Sequence, residues 1–123
     1  MCGRYANSLP PEAIARLFRT TGAVPNVAPS WNVAPSQQAM AVRRHPETGE
    51  RYLDLLTWGL VPHWTKDLRV ARRPINARAE TVATSPMFRD AFARRRALIP
   101  GAGVLRMAAH WGRAQAALRY CPA

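Results

Sequence analysis

The second residue of the chain is a cysteine, and an opening Met1-Cys2 sets up a compact nucleophile. Cysteine has a small side chain, so removal of the initiator methionine is expected and would leave Cys2 at the N-terminus. A free α-amine has an ordinary pKa of about 8 and a thiol one of about 8.5. Both are nucleophiles near neutral pH. An amine and a thiol on adjacent carbons can trap an aldehyde. The amine forms a Schiff base, and the thiol then closes a five-membered thiazolidine ring. The same thiol could instead attack an acyl carbon. An isolated Met-Cys opening is more often chance than chemistry, so the neighbouring residues decide.

Those neighbours are distinctive. The chain opens Met1-Cys2-Gly3-Arg4-Tyr5-Ala6 and continues with Trp31-Asn32-Val33-Ala34-Pro35-Ser36-Gln37. Trp58-Gly59-Leu60-Val61-Pro62-His63-Trp64 follows, then Ile75-Asn76-Ala77-Arg78-Ala79-Glu80-Thr81. Phe88, Phe92, Arg95 and Arg96 precede Leu98-Ile99-Pro100. In this order and spacing, residues 1–100 closely resemble the SOS response-associated peptidase family, also called abasic site processing proteins. Five motifs in register are far more specific than any one alone.

The resemblance implies a set of roles. Cys2 would be the catalytic residue, exposed by methionine removal. Family members bind single-stranded DNA and form a thiazolidine with the ring-opened aldehyde of an abasic site. The same cysteine has been proposed to release a short N-terminal peptide in some members. Asn76 would sit beside the cysteine and orient the sugar. Arg4 and Arg78 would contact the DNA backbone. Asn32, Pro35, Trp58 and Trp64, together with Trp31, would shape a narrow strand-binding cleft. The implied fold is mixed α/β (α+β), a barrel-like β core with flanking short helices.

Residue chemistry agrees in part. Arginine suits bidentate phosphate contacts, and aromatic rings near basic residues suit stacking on bases. Core packing is the plain alternative for Trp31, Trp58 and Trp64, and one or two of them are expected to be mainly core. Arg78 and Glu80 could form a surface ion pair worth little. Without the resemblance, nothing assigns Asn76 a role. His45 and His63 read as surface or packing residues.

The elements that must position these residues are short. Pro10-Pro11 followed by Glu12 to Phe18 reads as a helix, with Ile14, Leu17 and Phe18 on one face. Thr20 to Asn32 is punctuated by Pro and Gly and reads as loop. Ala39 to Arg43 and Tyr52 to Leu60 read as two strands of a hairpin around the turn His45 to Gly49. Ser85-Pro86 is a helix start, with Met87, Phe88, Ala91 and Phe92 as its apolar face. Ala97 to Ile99 reads as a short strand ended by Pro100.

Composition bounds the rest. The 123 residues make one small domain at most, and 48% apolar residues exclude global disorder. The apolar runs are too short to span a membrane, and no apolar leader opens the chain, so a cytoplasmic, nucleoid-associated protein is expected. Cys2 and Cys121 stand at opposite ends and make no disulfide framework. No pattern supports a metal site, and no cofactor is expected. The formal net charge is +11, with Arg supplying 17 of 18 basic residues. Codon bias in a GC-rich genome is the plain explanation; attraction to a polyanion is the functional one.

After Pro100 the character changes. Residues 101–123 are rich in Ala and Arg, contain no acid, and keep no helical stripe. The family continues after its Leu-Ile-Pro with Gly-Phe-Tyr-Glu-Trp, whose Glu is a catalytic acid/base, and much later carries a catalytic His. This chain shows neither. Reading the codons of Gly103 to Ala108 one nucleotide later forces a Trp and permits Phe-Tyr-Glu before it. The same shifted frame permits Lys-Gln-Pro-Tyr-Ala-Ile across Ala114 to Tyr120. Residues 101–123 are therefore expected to be an out-of-frame, poorly ordered tail. Residues 1–100 still carry 15 basic against 7 acidic side chains.

The expectation is the N-terminal part of a single abasic-site-processing domain, truncated before its later strands. Its expected partner is single-stranded DNA containing abasic sites, with no membrane, no metal and a monomeric state. The rivals are a cysteine autopeptidase, a non-covalent single-strand-binding module and an inert fragment. Only Met1 precedes Cys2, which favours the DNA reaction over autoproteolysis.

Overall fold

The computed structural model describes residues 3–67, 69, 73–107 and 118–122. Its elements run β1 (Tyr5–Asn7), α1 (Pro11–Phe18), β2 (Ser30–Val33), β3 (Gln38–Arg44), β4 (Arg51–Thr57), α2 (Arg89–Arg94), β5 (Gly103–Met107) and β6 (Leu118–Pro122). The architecture is mixed α+β. One antiparallel sheet has the order β2-β1-β5-β6, and a second consists of β3 and β4. Among the described residues neither sheet closes into a barrel. The backbone of residues 103–107 and 118–122 is extended, with Gly103 opposite Pro122. Residues 108–117 of the expected tail lie outside the described residues.

The β3–β4 hairpin is the frame of the molecule. Its register runs unbroken from Gln38 opposite Thr57 to Arg44 opposite Arg51. Successive side chains on a strand face opposite ways. Met40 and Val42 accordingly pack with Leu53 and Ile14 in one buried cluster, joined by Ala15, Phe18, Val27 and Leu55. Ala39, from the other set, packs with Tyr5, Val33 and Trp58. Strand β3 thus separates two cores, and four successive residues, Ala39 to Val42, are buried. On the second face the polar end of the ladder carries a 2.7 Å ion pair from Arg43 Nε to Asp54 Oδ2.

Helix α1 covers the first face. Pro11 fits its opening turn because a first-turn N–H has no helical partner to lose. Its C-terminal end is held from β4, where the Arg51 guanidinium donates to the Phe18 carbonyl at 3.0 Å. A fixed positive charge suits the unpaired carbonyls at that end. Arg19 then takes a left-handed turn at φ 50°, and Thr21 N–H donates to the Arg51 carbonyl at 2.7 Å. At the hairpin tip, hydrogen bonds from Tyr52 and Thr48 hold the Glu50 carboxyl below its ordinary pKa, while the bond to Glu50 raises that of Tyr52.

Most expected elements appear, with local differences. Ile14 is fully buried, but Leu17 is 69% exposed, so the apolar face of α1 is Pro11, Ile14, Ala15 and Phe18. The segment expected to be loop up to Asn32 ends in β2, which pairs with β1. Helix α2 starts later than Ser85-Pro86, after turns in which the Ser85 carbonyl accepts from Phe88 and Arg89. Leu98 exchanges two hydrogen bonds with Val42, at 2.8 and 3.0 Å, as a single bridge on the outer edge of β3.

This packing sets unequal costs for two neighbouring residues. Ile14→Ala should destabilise the fold by about 2–5 kcal/mol, as for other buried aliphatic truncations. Leu17→Ala should stay within about 0.5 kcal/mol. Chemical denaturation of the two variants checks the pair.

Candidate functional site

The chain leaves β4 at Thr57 and enters the segment that organises the site. Trp58 N–H donates to the Gln37 carbonyl and Trp58 C=O accepts from Ser36 N–H, both at 2.9 Å. The indole N–H donates to the Ile75 carbonyl at 3.1 Å. The indole ring meets Tyr5 edge-on, with centroids 5.7 Å apart. One residue therefore joins three segments, its main chain bonding the turn before β3 and its half-buried side chain touching β1 and the segment carrying Asn76.

Each of these neighbours is fixed locally. The turn Ala34 to Gln37 is closed by Gln37 N–H to the Ala34 carbonyl at 3.2 Å, and the Gln37 side-chain oxygen accepts from Ala34 N–H at 2.8 Å. Ser36 sits there at φ 69°, and Pro35 is half-buried between them. Gly59 is required directly after Trp58. Its φ of +137° disfavours any side chain, and an added Cβ would stand 3.3 Å from the Arg73 Cβ. Leu60 N–H then donates to the Pro74 carbonyl at 3.1 Å. The 58–60 and 74–76 segments are thus tied together twice.

Two recesses share Trp58 as a wall. A cleft of about 690 Å³ lies between the two sheets, lined by residues including Tyr5, Ala39, Leu56, Val61 and Ile99. A smaller recess of about 270 Å³ is lined by half-buried Asn76, by Phe88 and Phe92 from the α2 region and by Val82. The Arg96 guanidinium stacks over Phe92 at 5.7 Å. Arg78, two residues beyond Asn76, is exposed, and its carbonyl accepts from Thr81 and Val82. Around α2, Arg89, Arg94, Arg95 and Arg96 are also exposed. Asp90, the single acid on that helix, faces His63 Nδ1 at 3.5 Å and Arg89 at 3.8 Å.

Cys2 lies outside the described residues. Arg4 is exposed at the head of β1. Trp58, Pro35 and Asn76 are drawn onto one frame. Asn32 is exposed on β2, its N–H directed at Ser30 Oγ at 3.4 Å. Trp64 is 50% exposed and meets the His63 ring at 5.0 Å. Trp31 is 69% exposed, so Trp58 is the tryptophan of the three that joins a core. Sequence reasoning missed Tyr5 and Gln37. Tyr5 sits in a strand too short to show alternation, and the Gln37 amide acts through a turn that no composition signals. Among the described residues no three metal-ligating side chains converge, and no helix is long and apolar enough to cross a membrane.

If the indole N–H is the clamp on the Asn76 segment, Trp58→Phe should keep the ring contact and lose the tie. The expected cost is about 0.5–1.5 kcal/mol. Hydrogen exchange should quicken at residues 74–77 before it does in β3. Equal protection in both variants would show that Leu60 alone holds the segment.

The comparisons with known proteins come down on this same stretch. The family model described as SOS response associated peptidase (SRAP) matches residues 1–104. The Bacillus subtilis protein named abasic site processing protein YoqW is 36% identical over 102 residues, covering 81% of this chain and 45% of that relative. The Escherichia coli protein named abasic site processing protein YedK is 33% identical over 103 residues, covering 80% of this chain and 44% of its own length. A crystal structure of a Bordetella bronchiseptica protein aligns with a TM-score of 0.63 at 26% identity, over 85% of this chain and 50% of that one. A phage-related protein of the same organism shares the fold with a TM-score of 0.69 at 23% identity, over 97% and 53%. The chain spans less than half the length of the curated relatives it matches. With the family's pattern running through residues 1–104, the chain belongs to the SRAP family.

Proposed function

We propose that the protein is an abasic-site sensor that binds single-stranded DNA and forms a covalent thiazolidine crosslink through Cys2. The observation that carries this reading is the Trp58 clamp. It ties the segment ending in Asn76 to the strand that begins three residues after Cys2. The names of the relatives, abasic site processing proteins, point the same way.

The chemistry follows from the residue types. The Cys2 amine attacks the open-chain sugar aldehyde, and loss of one water gives an imine. The thiol sulfur then adds to the imine carbon while its proton passes to nitrogen, closing the ring. Asn76 orients the sugar through its amide. Arg4 and Arg78 bind phosphates, and the exposed Trp31 and Trp64, with Asn32 and Pro35, guide the strand. Exposed indoles are costly in water, and base stacking offers them a partner.

The same proposal covers the tail. Residues beyond about Gly101 are read from a shifted frame, and the two sheets are walls of a barrel-like core that later strands would complete. The end of the family match at residue 104, inside the chain, supports this. Restoring the frame returns a Glu able to move protons during ring opening and imine formation, a role worth roughly 10²–10⁴-fold.

The test is a denaturing gel with abasic single-stranded DNA. The wild-type chain should give a durable adduct, weak beside the frame-restored form, and Cys2→Ala should give none. Adduct formation by Cys2→Ala would overturn the assignment. Binding should weaken with salt, and Arg78→Ala should lower the salt slope by about one unit regardless of DNA sequence. Binding without salt dependence would end the nucleic-acid reading.

A further inference from the structure

The cations of this chain are not all used alike. Arg43 is spent on Asp54, Arg69 on Asp67, and Arg44 and Arg51 on main-chain carbonyls. Arg94, Arg95 and Arg96, at and just beyond the end of α2, are exposed and meet no acid among the described residues. The helix carries one acid, Asp90, and that is already engaged by His63 Nδ1 at 3.5 Å and Arg89 Nε at 3.8 Å. Codon bias sets how many arginines a chain has. It does not set which of them stand unneutralised beside aromatic rings. Here the rings are present. Phe92 is 41% exposed and carries the Arg96 guanidinium 5.7 Å from its centroid. Trp64 is 50% exposed, and its ring meets His63, which in turn faces Asp90 on α2. Phe88 and Phe92 also line the recess that Asn76 lines, so this surface starts at the candidate site. Cations that follow a backbone, interleaved with rings on which bases stack, make up a surface that tracks a single strand.

We infer that the end of α2 is a track for the nucleotides flanking the abasic site, with Arg94, Arg95 and Arg96 binding their phosphates beside Trp64. The inference rests on the single-strand reading above and adds a footprint to it. Arg78 stands two residues from Asn76 and serves the reacting sugar's own neighbourhood. The α2 arginines lie on the far side of Phe88 and Phe92 in sequence, where only a longer strand arrives. Guanidinium groups suit the task because each can hold a phosphate through two parallel N–H donors. The ring of Phe92 fixes the Arg96 guanidinium in advance, so less of its freedom is lost on binding. Affinity should therefore depend on strand length, and the dependence should reside in these side chains.

The test measures binding of the 123-residue protein to single-stranded DNA of about 4 and about 16 nucleotides by fluorescence anisotropy. Each strand carries a central tetrahydrofuran analogue of the abasic sugar, which has no aldehyde to trap. The wild type should bind the longer strand at least tenfold more tightly. The double variant Arg94→Gln, Arg95→Gln should lose most of that advantage. Its salt slope on the longer strand should fall by about 0.7 for each of the two lost contacts. Arg94→Lys with Arg95→Lys keeps both charges and should restore binding. Arg16→Gln, at an exposed position on α1, should bind both strands as the wild type does. The inference is overturned if the Gln pair binds the longer strand undiminished, or loses the same factor on both strands. It is equally overturned if the Lys pair restores nothing, or if Arg16→Gln is as damaging. A wild-type protein that binds neither strand overturns the function proposal and this inference with it. The denaturing gel with Cys2→Ala reads the function proposal separately.

Discussion

The attachment of Trp58 sets the geometry on which the site depends. Its backbone continues the β3–β4 ladder by pairing with Ser36 and Gln37, and its side chain turns away to hold Ile75 and Tyr5. Each bond is modest, of order 1 kcal/mol net. Their importance is positional, because they reach three segments that are distant in sequence and otherwise short of secondary structure. Gly59 makes the arrangement feasible, since the chain must bend through a positive φ immediately after the indole. A side chain there would meet Arg73, so the residue after the clamp is as constrained as the clamp itself.

The same economy shows in how the apolar residues are used. A small chain cannot bury much surface, and here one strand serves two clusters. Helix α1 closes one face with Ile14 as its fully buried residue. The other face is covered in part by β1 and Trp58 and otherwise borders the large cleft. The molecule is thus well packed on the α1 side and open on the side that carries the candidate site.

How much of this was legible in the sequence differs by element. The hairpin was, because two strand-like runs flank the turn His45 to Gly49, where Gly49 adopts φ 75°. Strands β1 and β2 were not, since three and four residues are too few to display a period. Leu17 misled because helical spacing permits a wider face than the single covering sheet requires. The start of α2 was read too early, because a Ser-Pro pair marks turns as readily as helices. In the site, Asn76 was visible only through the resemblance, whereas Trp58 was visible by type and not by partner. Its link to Ile75 is a contact to a main-chain carbonyl, and no residue type encodes that.

The two-sided burial of β3 has a consequence for uniqueness. A hairpin that is polar on both faces can slide, because a slip then moves no apolar set out of a core, whereas a buried face fixes the register. Here a slip by one residue would turn Met40 and Val42 toward Tyr5 and leave Ala39 and Ala41 against Ile14. One side would be overfilled and the other hollow, and both errors are penalised. The alternation of large and small side chains at positions 39–42 therefore acts as a ruler. It determines which residue stands opposite Gln38, and through that pairing where Trp58, and with it the Asn76 segment, comes to rest.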